Sequence, residues 1–366
     1  MIISSTTLYS YKLPLVGTLK LKKGTFAFRE GLILKLTDDQ VHTGWGEAAP
    51  LPGFSNETFQ DARSELLKLV RYLKDVTFLS NGNPLDMISR LLESQNTGLS
   101  SSARFAAESA LLSLIADEQQ TPAHLLLSPT TGEQITLNAL LTADIADIQK
   151  EARRLLDRGF STFKLKVSSS DIDRDIKKVS TLRDAIGPAC SMRLDANRSW
   201  SEEQALYFTE RVAPFDIEYI EEPLVPGADL RKLIGKLAVP VALDETLAEI
   251  SCEQLGEFRK ARAVILKPTL HSGLIRTLEL AQEAVKYNMK VVFSSSFESS
   301  VGTAVLCHLA SAVGTPDVAM GLATSPQFRS NLHRNPSVLF GPIVSMDDLE
   351  DFDKSIDTDL LSPVEE

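Results

Sequence analysis

From Ile135 to Leu322 short apolar stretches alternate with amphipathic ones, and ionisable residues close several of the apolar stretches at a nearly constant step. The strand candidates are residues 135–141, 162–167, 192–195, 219–222, 239–244, 263–267, 290–294 and 318–322. Lys166 to Asp195 is 29 residues and Asp195 to Glu221 is 26, while Glu221 to Asp244 and Asp244 to Lys267 are 23 each. One strand, one helix and two loops fill a step of that size. The repeat therefore predicts consecutive βα units, a parallel sheet and its closure into a barrel. The helix after the eighth strand is weak, so residues 131–329 read as a modified TIM-type (β/α)7β barrel in an α/β protein.

The chain before that repeat has another rhythm. Residues 32–36 and 41–47 alternate apolar and polar positions around the turn 37–40, which predicts an antiparallel meander. After the breaker-rich loop 51–55, Phe59, Ala62, Leu66, Leu69 and Val70 recur at helical spacing, with Ser55 as the expected cap. A second helix is expected over 103–116. Residues 1–130 thus read as an α+β capping domain, and the tail from about 330 to 366 is expected to pack back on it.

Length and charge exclude other classes. A chain of 366 residues buries a sizeable core without staples. Its net charge of −11, with no dense lysine and arginine cluster, disfavours nucleic-acid binding. No apolar run reaches bilayer-spanning length, and the N-terminus lacks a basic start followed by an apolar core. Cys190, Cys252 and Cys307 are odd in number and widely spaced, which suits neither a disulfide framework nor a CxxC metal site. The expectation is a cytoplasmic protein acting on a small molecule, with homo-oligomerisation left open.

Strands of a closed parallel barrel are buried on both faces and should be apolar throughout. Here five successive strands carry ionisable groups near their C-terminal ends, where barrels of this kind place their active sites. Unpartnered burial would cost several kcal/mol apiece, so these groups must meet a metal, one another or water. Any one of them could be a helix cap or a rim ion pair; the whole set at the barrel period favours a site. Asp195, Glu221 and Asp244 come from consecutive strands roughly 4.8 Å apart and can converge. Three carboxylates without histidine or cysteine are hard oxygen donors that suit octahedral Mg²⁺, with Mn²⁺ as a substitute. Asn197, Glu222 and Glu245 beside them are candidates to orient these donors. Arg193, two before Asp195, shares its strand face.

Lys164 and Lys166 are two apart and point to one face, expected to be the barrel interior. Their mutual repulsion would lower a lysine toward the range of a general base. Lys267 ends a strand across the barrel and should approach a bound ligand from the other side. Such an arrangement suits removal of a proton α to a carboxylate, whose developing charge a divalent cation stabilises.

Phe163-Lys164-Leu165-Lys166, Leu194-Asp195-Ala196-Asn197-Arg198-Ser199-Trp200, Ile220-Glu221-Glu222-Pro223 and Leu243-Asp244-Glu245 resemble the muconate-lactonising branch of the enolase superfamily. Within it, the stretch from Gly44 through Glu47 to Ser55, Ile265-Leu266-Lys267-Pro268-Thr269 and the run Ser294 to Ser300 resemble the o-succinylbenzoate synthase family. The likeness runs from the capping domain through the last strand. It implies Asp195, Glu221 and Asp244 as Mg²⁺ ligands, Lys166 as the base that then protonates the departing hydroxyl, Lys164 as its electrostatic partner, and Lys267 as a cation stabilising the enediolate. The implied reaction is loss of water from a cyclohexadiene carboxylate in menaquinone biosynthesis, a lyase reaction. Related racemases and epimerases share the ligands and both lysines, so racemisation of N-succinylamino acids or dipeptide epimerisation is the alternative. A non-catalytic carboxylate-binding barrel is disfavoured, since it need not keep the base.

Ser294, Ser295 and Ser296 are expected substrate contacts, and Gly321 a point of close backbone approach. The stretch from Gly17 to Arg29 resembles the superfamily's lid, with Arg29 reaching substrate. His271 and His308 read as structural, and Trp45 and Trp200 as packing anchors.

Overall fold

A computed structural model describes residues 1–21, 24–77, 82–94, 98–167, 171–350 and 352–365. The chain opens with β1 (Ile3–Leu21), β2 (Gly24–Asp38) and β3 (Thr43–Ala48), an antiparallel sheet, followed by helices α1 (Phe59–Leu73), α2 (Pro84–Glu93) and α3 (Ser101–Glu118). The α1 cap is Thr58, not Ser55: Thr58 Oγ1 accepts from Asp61 N and Asp61 returns the bond, whereas Ser55 Oγ accepts from Leu51 N at 2.8 Å and closes the preceding turn. Gly17 to Arg29 is not a loop of its own. Leu19 pairs with Phe26 and Lys20 with Thr25 in the β1–β2 ladder, and residues 22–23 lie outside the described residues.

Alternation along β3 sorts its side chains. Gly44 and Gly46 face α3 so closely that a Cβ would stand 2.1 Å from Ala110 O and 1.9 Å from Ala106 O. Trp45 and Glu47 therefore face the other way, toward the barrel. Trp45 packs with Tyr11, Leu13 and Val301, with the Lys35 ammonium 4.8 Å from its ring.

After α4 (Ala123–Leu127) and the short β4 (Gln134–Thr136), the barrel begins with β5 (Ala139–Leu141), α5 (Ile145–Asp157), β6 (Thr162–Lys166), α6 (Ile172–Ile186), β7 (Ser191–Asp195) and α7 (Glu202–Val212). It continues through β8 (Ile217–Glu221), α8 (Leu230–Leu233), β9 (Val241–Leu243), β10 (Ala263–Leu266), α9 (Gly273–Lys286), β11 (Lys290–Phe293) and α10 (Ser300–Val313). Among the described residues β5 to β11 form one seven-stranded parallel sheet in sequence order. The architecture is a modified β/α barrel beneath an antiparallel capping sheet and its helices. The expected strand 135–141 is split between β4 and β5, and the expected eighth strand is only a bridge. Met320 N donates to Thr136 O at 2.7 Å, Gly321 N to Phe293 O at 2.8 Å and Ser295 N to Gly321 O at 3.0 Å, which closes the barrel through two residues, Met320 and Gly321.

The tail meets both parts. Strand β12 (Ile343–Ser345) pairs with β4, and β13 (Ser362–Pro363) pairs with β1. Among the described residues no helix is long and apolar enough to cross a membrane.

Candidate active site

The parallel register sets Lys166 beside Asp195 and Asp195 beside Glu221, with Asp244 and Lys267 following β9 and β10 directly. Lys164 Nζ lies 2.5 Å from Glu221 Oε2 and 3.1 Å from Asp195 Oδ2. Across the sheet, Lys267 Nζ donates to Asp244 Oδ2. Three carboxylates and two ammonium groups thus meet at the C-terminal end of the barrel. As placed, among the described residues, no three acidic, histidine or cysteine side chains converge in metal-ligating geometry, because the ammonium groups bridge the acids instead. The donor set nevertheless fits a hard divalent cation. Asp195, Glu221 and Asp244 supply only oxygen, and Glu245 Oε2 nearby is buried without a partner.

Lys166 departs from the expectation. Lys164 is buried but Lys166 is exposed, so one lysine of the pair lies inside the barrel and the other opens to solvent. Burial opposes the charge on Lys164, yet Asp195, Glu221 and Asp244 together hold its ammonium well above the ordinary lysine range. Its charge is taken up by carboxylates, which weakens the expected repulsion with Lys166. Burial and the field of Lys164 oppose the charge on Lys267, but Asp244, Glu245 and Glu221 hold it above the ordinary range too. Asp195 would be raised by burial, but Lys164, Lys267 and Lys166 keep it below the usual carboxylate range. Glu221 is pushed up by burial and by Asp195 and Asp244, and Glu245 by burial and Asp244. Buried acids raised in this way gain most from an added positive charge.

Around this cluster the structure sorts the expected supporting residues. Glu222 Oε1 accepts from the main-chain N–H of Asp244 at 2.8 Å and of Thr246 at 2.9 Å, while Arg198 Nε lies 3.3 Å from Oε2. Glu222 thereby sets the backbone that carries Asp244, from a left-handed conformation of its own (φ 36°). Asn197 N donates to Asp195 Oδ1 at 3.0 Å. Arg193 is turned away from ligand chemistry: it pairs with Glu218 at 2.7 Å, donates to Ala319 O at 2.6 Å and to Asn138 Oδ1 at 3.3 Å, and so ties β7 to β8 and to both sides of the barrel closure. His271 is driven down to about 4 by burial and is neutral; its Nδ1 accepts from Lys267 N at 3.1 Å. His308 is likewise neutral in the interior, 3.0 Å from His124. Trp200 packs on Phe208, ring centroids 4.3 Å apart.

The serine run after β11 is organised by a carboxylate the sequence reading passed over. Ser295 Oγ donates to Glu298 Oε2 at 2.6 Å and Ser296 N to the same oxygen at 2.7 Å, while Thr269 Oγ1 donates to Glu298 Oε1 at 2.7 Å. Ser294 packs against Gly321, where a Cβ would stand 2.7 Å from its Oγ, so the glycine makes room for the neighbouring strand. Ser296 Oγ is buried without a partner. Arg29 requires a correction as a substrate contact. Its guanidinium is committed to Ala49 O at 2.9 Å, Pro50 O at 3.0 Å and Phe297 O at 3.1 Å, a clamp between cap and serine run. Glu47 was also missed, although it stands in the stretch Gly44 to Ser55. Its carboxylate accepts from Tyr11 Oη, Ser299 N at 2.8 Å, Ser299 Oγ at 2.6 Å and Gly302 N at 2.7 Å. Glu47 lies on β3 with every partner distant in sequence, and Glu298 lies in the segment between β11 and α10 with Ser295 and Ser296 beside it; the serines next to Glu298 were the one local signal.

Comparison with known proteins adds independent findings. Residues 147–342 match the family model described as enolase C-terminal domain-like, and residues 3–84 match that of the MenC N-terminal domain. The o-succinylbenzoate synthase of Yersinia enterocolitica is 32% identical over 94% of this chain and 98% of its own. That of Pasteurella multocida is 30% identical over 87% of this chain and 88% of its own. Among solved structures, a dipeptide epimerase from Enterococcus faecalis, crystallised with Mg and L-Leu-L-Tyr, superposes with a TM-score of 0.84 at 20% identity, covering 94% of this chain and 97% of that one. At that identity the likeness concerns the fold alone. With a matching family model across its barrel and near full-length relatives at this identity, the chain belongs to the o-succinylbenzoate synthase family of the enolase superfamily.

Proposed function

We propose that the protein dehydrates 2-succinyl-6-hydroxy-2,4-cyclohexadiene-1-carboxylate to o-succinylbenzoate, a hydro-lyase reaction in menaquinone biosynthesis. The observation that carries the reading is the meeting of Asp195, Glu221 and Asp244 with ammonium groups from two sides of one barrel mouth, on a chain whose full-length relatives bear this activity's name. Asp195, Glu221 and Asp244 would hold Mg²⁺, which when bound supplies positive charge for the substrate carboxylate. Lys166 takes the proton from the carbon α to that carboxylate. The pair of electrons left behind forms the new ring double bond as the C–O bond breaks, and Lys166 returns its proton to the departing hydroxyl, releasing water. Lys267 offers its ammonium to the charge that develops and to the ring as it becomes aromatic. Lys164, fixed between Asp195 and Glu221, offsets the repulsion between those acids and orients them.

Residues 1–130 as cap and 131–329 as barrel belong to the same proposal, supported by the change from antiparallel to parallel pairing between β3 and β5. So does a cytosolic location, consistent with three unpaired cysteines and a water-soluble dicarboxylate substrate. Turnover with Mg²⁺, followed by the ultraviolet change on aromatisation, tests the reading. Lys166→Ala should lose at least ~10³-fold in kcat while keeping the wild-type circular dichroism, as expected when a positioned base is removed. Near-normal dehydration by that variant rejects Lys166 as base. The placement of Lys166 at the end of β6 and of Lys267 after β10, four strands away, supports a second reading, racemisation of N-succinylamino acids with the two lysines as opposed bases. Deuterium exchange at the α-carbon without dehydration would favour it.

A further inference from the structure

Glu298 is almost fully buried, yet it neither joins the carboxylate cluster nor forms a salt bridge with any described residue. Its two oxygens instead receive donors from two different strand ends. Thr269 Oγ1, two residues past Lys267, donates to Oε1 at 2.7 Å; Ser295 Oγ at 2.6 Å and Ser296 N at 2.7 Å donate to Oε2. Ser295 Oγ also receives Thr324 Oγ1 at 3.0 Å, from just beyond the barrel closure, and donation from Phe297 N at 3.0 Å. One carboxylate therefore fixes the turn after β10 to the segment after β11, and through Ser295 to the closure. On the other flank, the cap holds the same segment through Arg29 on Phe297 O and Glu47 on Ser299. Within the segment so held, Ser296 Oγ is buried with no partner.

Resting on the dehydration reading above, we propose that Glu298 is a positioning residue that sets the Lys267 turn and the Ser295–Ser296 segment at a fixed separation, so that the Lys267 ammonium and the Ser296 hydroxyl address one substrate together. The carboxylate does not touch the reacting atoms. It is suited to this because two oxygens on one planar group accept from both sides at a set distance, with good hydrogen bonds on each. The Gln side chain has the same shape. Its amide oxygen can accept from Ser296 N, and its NH₂ can donate to Thr269 Oγ1, since a hydroxyl reverses its role freely. Leu fills the same space and satisfies none of the three donors.

Steady-state kinetics on purified full-length variants with Mg²⁺ separates these cases. Glu298→Gln should stay within about threefold of wild type in kcat and KM, whereas Glu298→Leu should lose roughly 10²-fold in kcat/KM, with KM raised and kcat lowered. Thr269→Val cuts only the arm to the Lys267 turn and should lower kcat by about 10-fold with KM within about twofold. A merely structural role would lower the melting temperature without this division between kcat and KM. Hydrogen exchange at the amides of residues 267–269 and 295–296 provides a readout that needs no turnover. Both segments should exchange faster together in Glu298→Leu, and in Thr269→Val should the leucine variant not fold. If the wild type does not dehydrate the substrate, the functional reading fails and the exchange result still decides the positioning role. The proposal is overturned if exchange in the two segments is unchanged in the folded variants, or if Glu298→Gln is as damaged as Glu298→Leu.

Discussion

Glu222 grips the amide of Asp244 and thereby governs where the Asp244 carboxylate points, without being an expected ligand itself. Groups that orient a ligand in this manner usually change metal affinity about 10–100-fold when removed. Glu222→Ala should weaken Mg²⁺ binding by that factor in a calorimetric titration of the full-length protein; unchanged affinity would show that Asp244 holds its orientation alone. The residues legible in the sequence were carboxylates and lysines ending strands buried on both faces, each with a bland explanation alone but not as a set repeated at the barrel period. Arg29 was misread, and the role of Arg193 was left open, for one physical reason. Their partners include the main-chain oxygens Ala319 O and Phe297 O, 126 and 268 residues away, and a carbonyl acceptor leaves no mark on the residue type that presents it. Glu298 and Glu47 escaped likewise, because their donors are backbone amides and hydroxyls.

At the scale of elements, a helix N-terminus explains one further buried acid. The first amides of a helix lack intrahelical partners and carry partial positive charge. Helix α9 has no side-chain cap of its own; its Leu274 and Ile275 amides donate to Glu108 Oε2 at 2.6 and 3.1 Å, from α3 of the cap. Burial raises Glu108 to about 7 even though these amides and Arg104, 3.6 Å away, favour its charge. A carboxyl raised on folding binds its proton more tightly in the native state. Its stabilising contribution is full below about 4.5 and is lost as pH rises through about 7. The stability difference between wild type and Glu108→Gln, measured by urea unfolding, should therefore fall from pH 4.5 to pH 7. A pH-independent difference would contradict the raised Glu108. The barrel strands were readable because β5, β9 and β10 are apolar throughout and β6 to β8 are short apolar stretches closed by ionisable residues at a nearly constant step. Strand β1 was not, because register shifts between Ile3 and Ser5 and between Pro14 and Leu19 interrupt it. Ile3 and Leu8 join the cap core, while Tyr11, Leu13 and Leu15 join the cluster facing the barrel, so no single period-two phase spans the strand.

Over the whole molecule, cap and barrel are fastened by buried polar groups rather than by apolar contact alone. Glu47 gathers the Tyr11 hydroxyl from β1, the Ser299 amide and hydroxyl, and the Gly302 amide from the start of α10. A Cβ at Gly302 would stand 2.7 Å from Glu47 Oε2, so this helix end and the β3 carboxylate meet with no room to spare. Burial raises Glu47, and the Ser299 and Tyr11 hydroxyls pull it back, so the group is held by its donors against desolvation. Removing it strands several buried donors at once, each costing about 1–3 kcal/mol when left unsatisfied. Glu47→Ala should accordingly lose about 3–5 kcal/mol in chemical denaturation, within the range for breaking a buried polar network. Because the same donors hold the segment that carries Ser295 and Ser296, KM should rise in Glu47→Ala under conditions where the variant is still fully folded. A loss below about 1 kcal/mol would mean that apolar packing of Trp45, Leu13 and Val301 suffices to seat the cap, and that the carboxylate is accommodated rather than required.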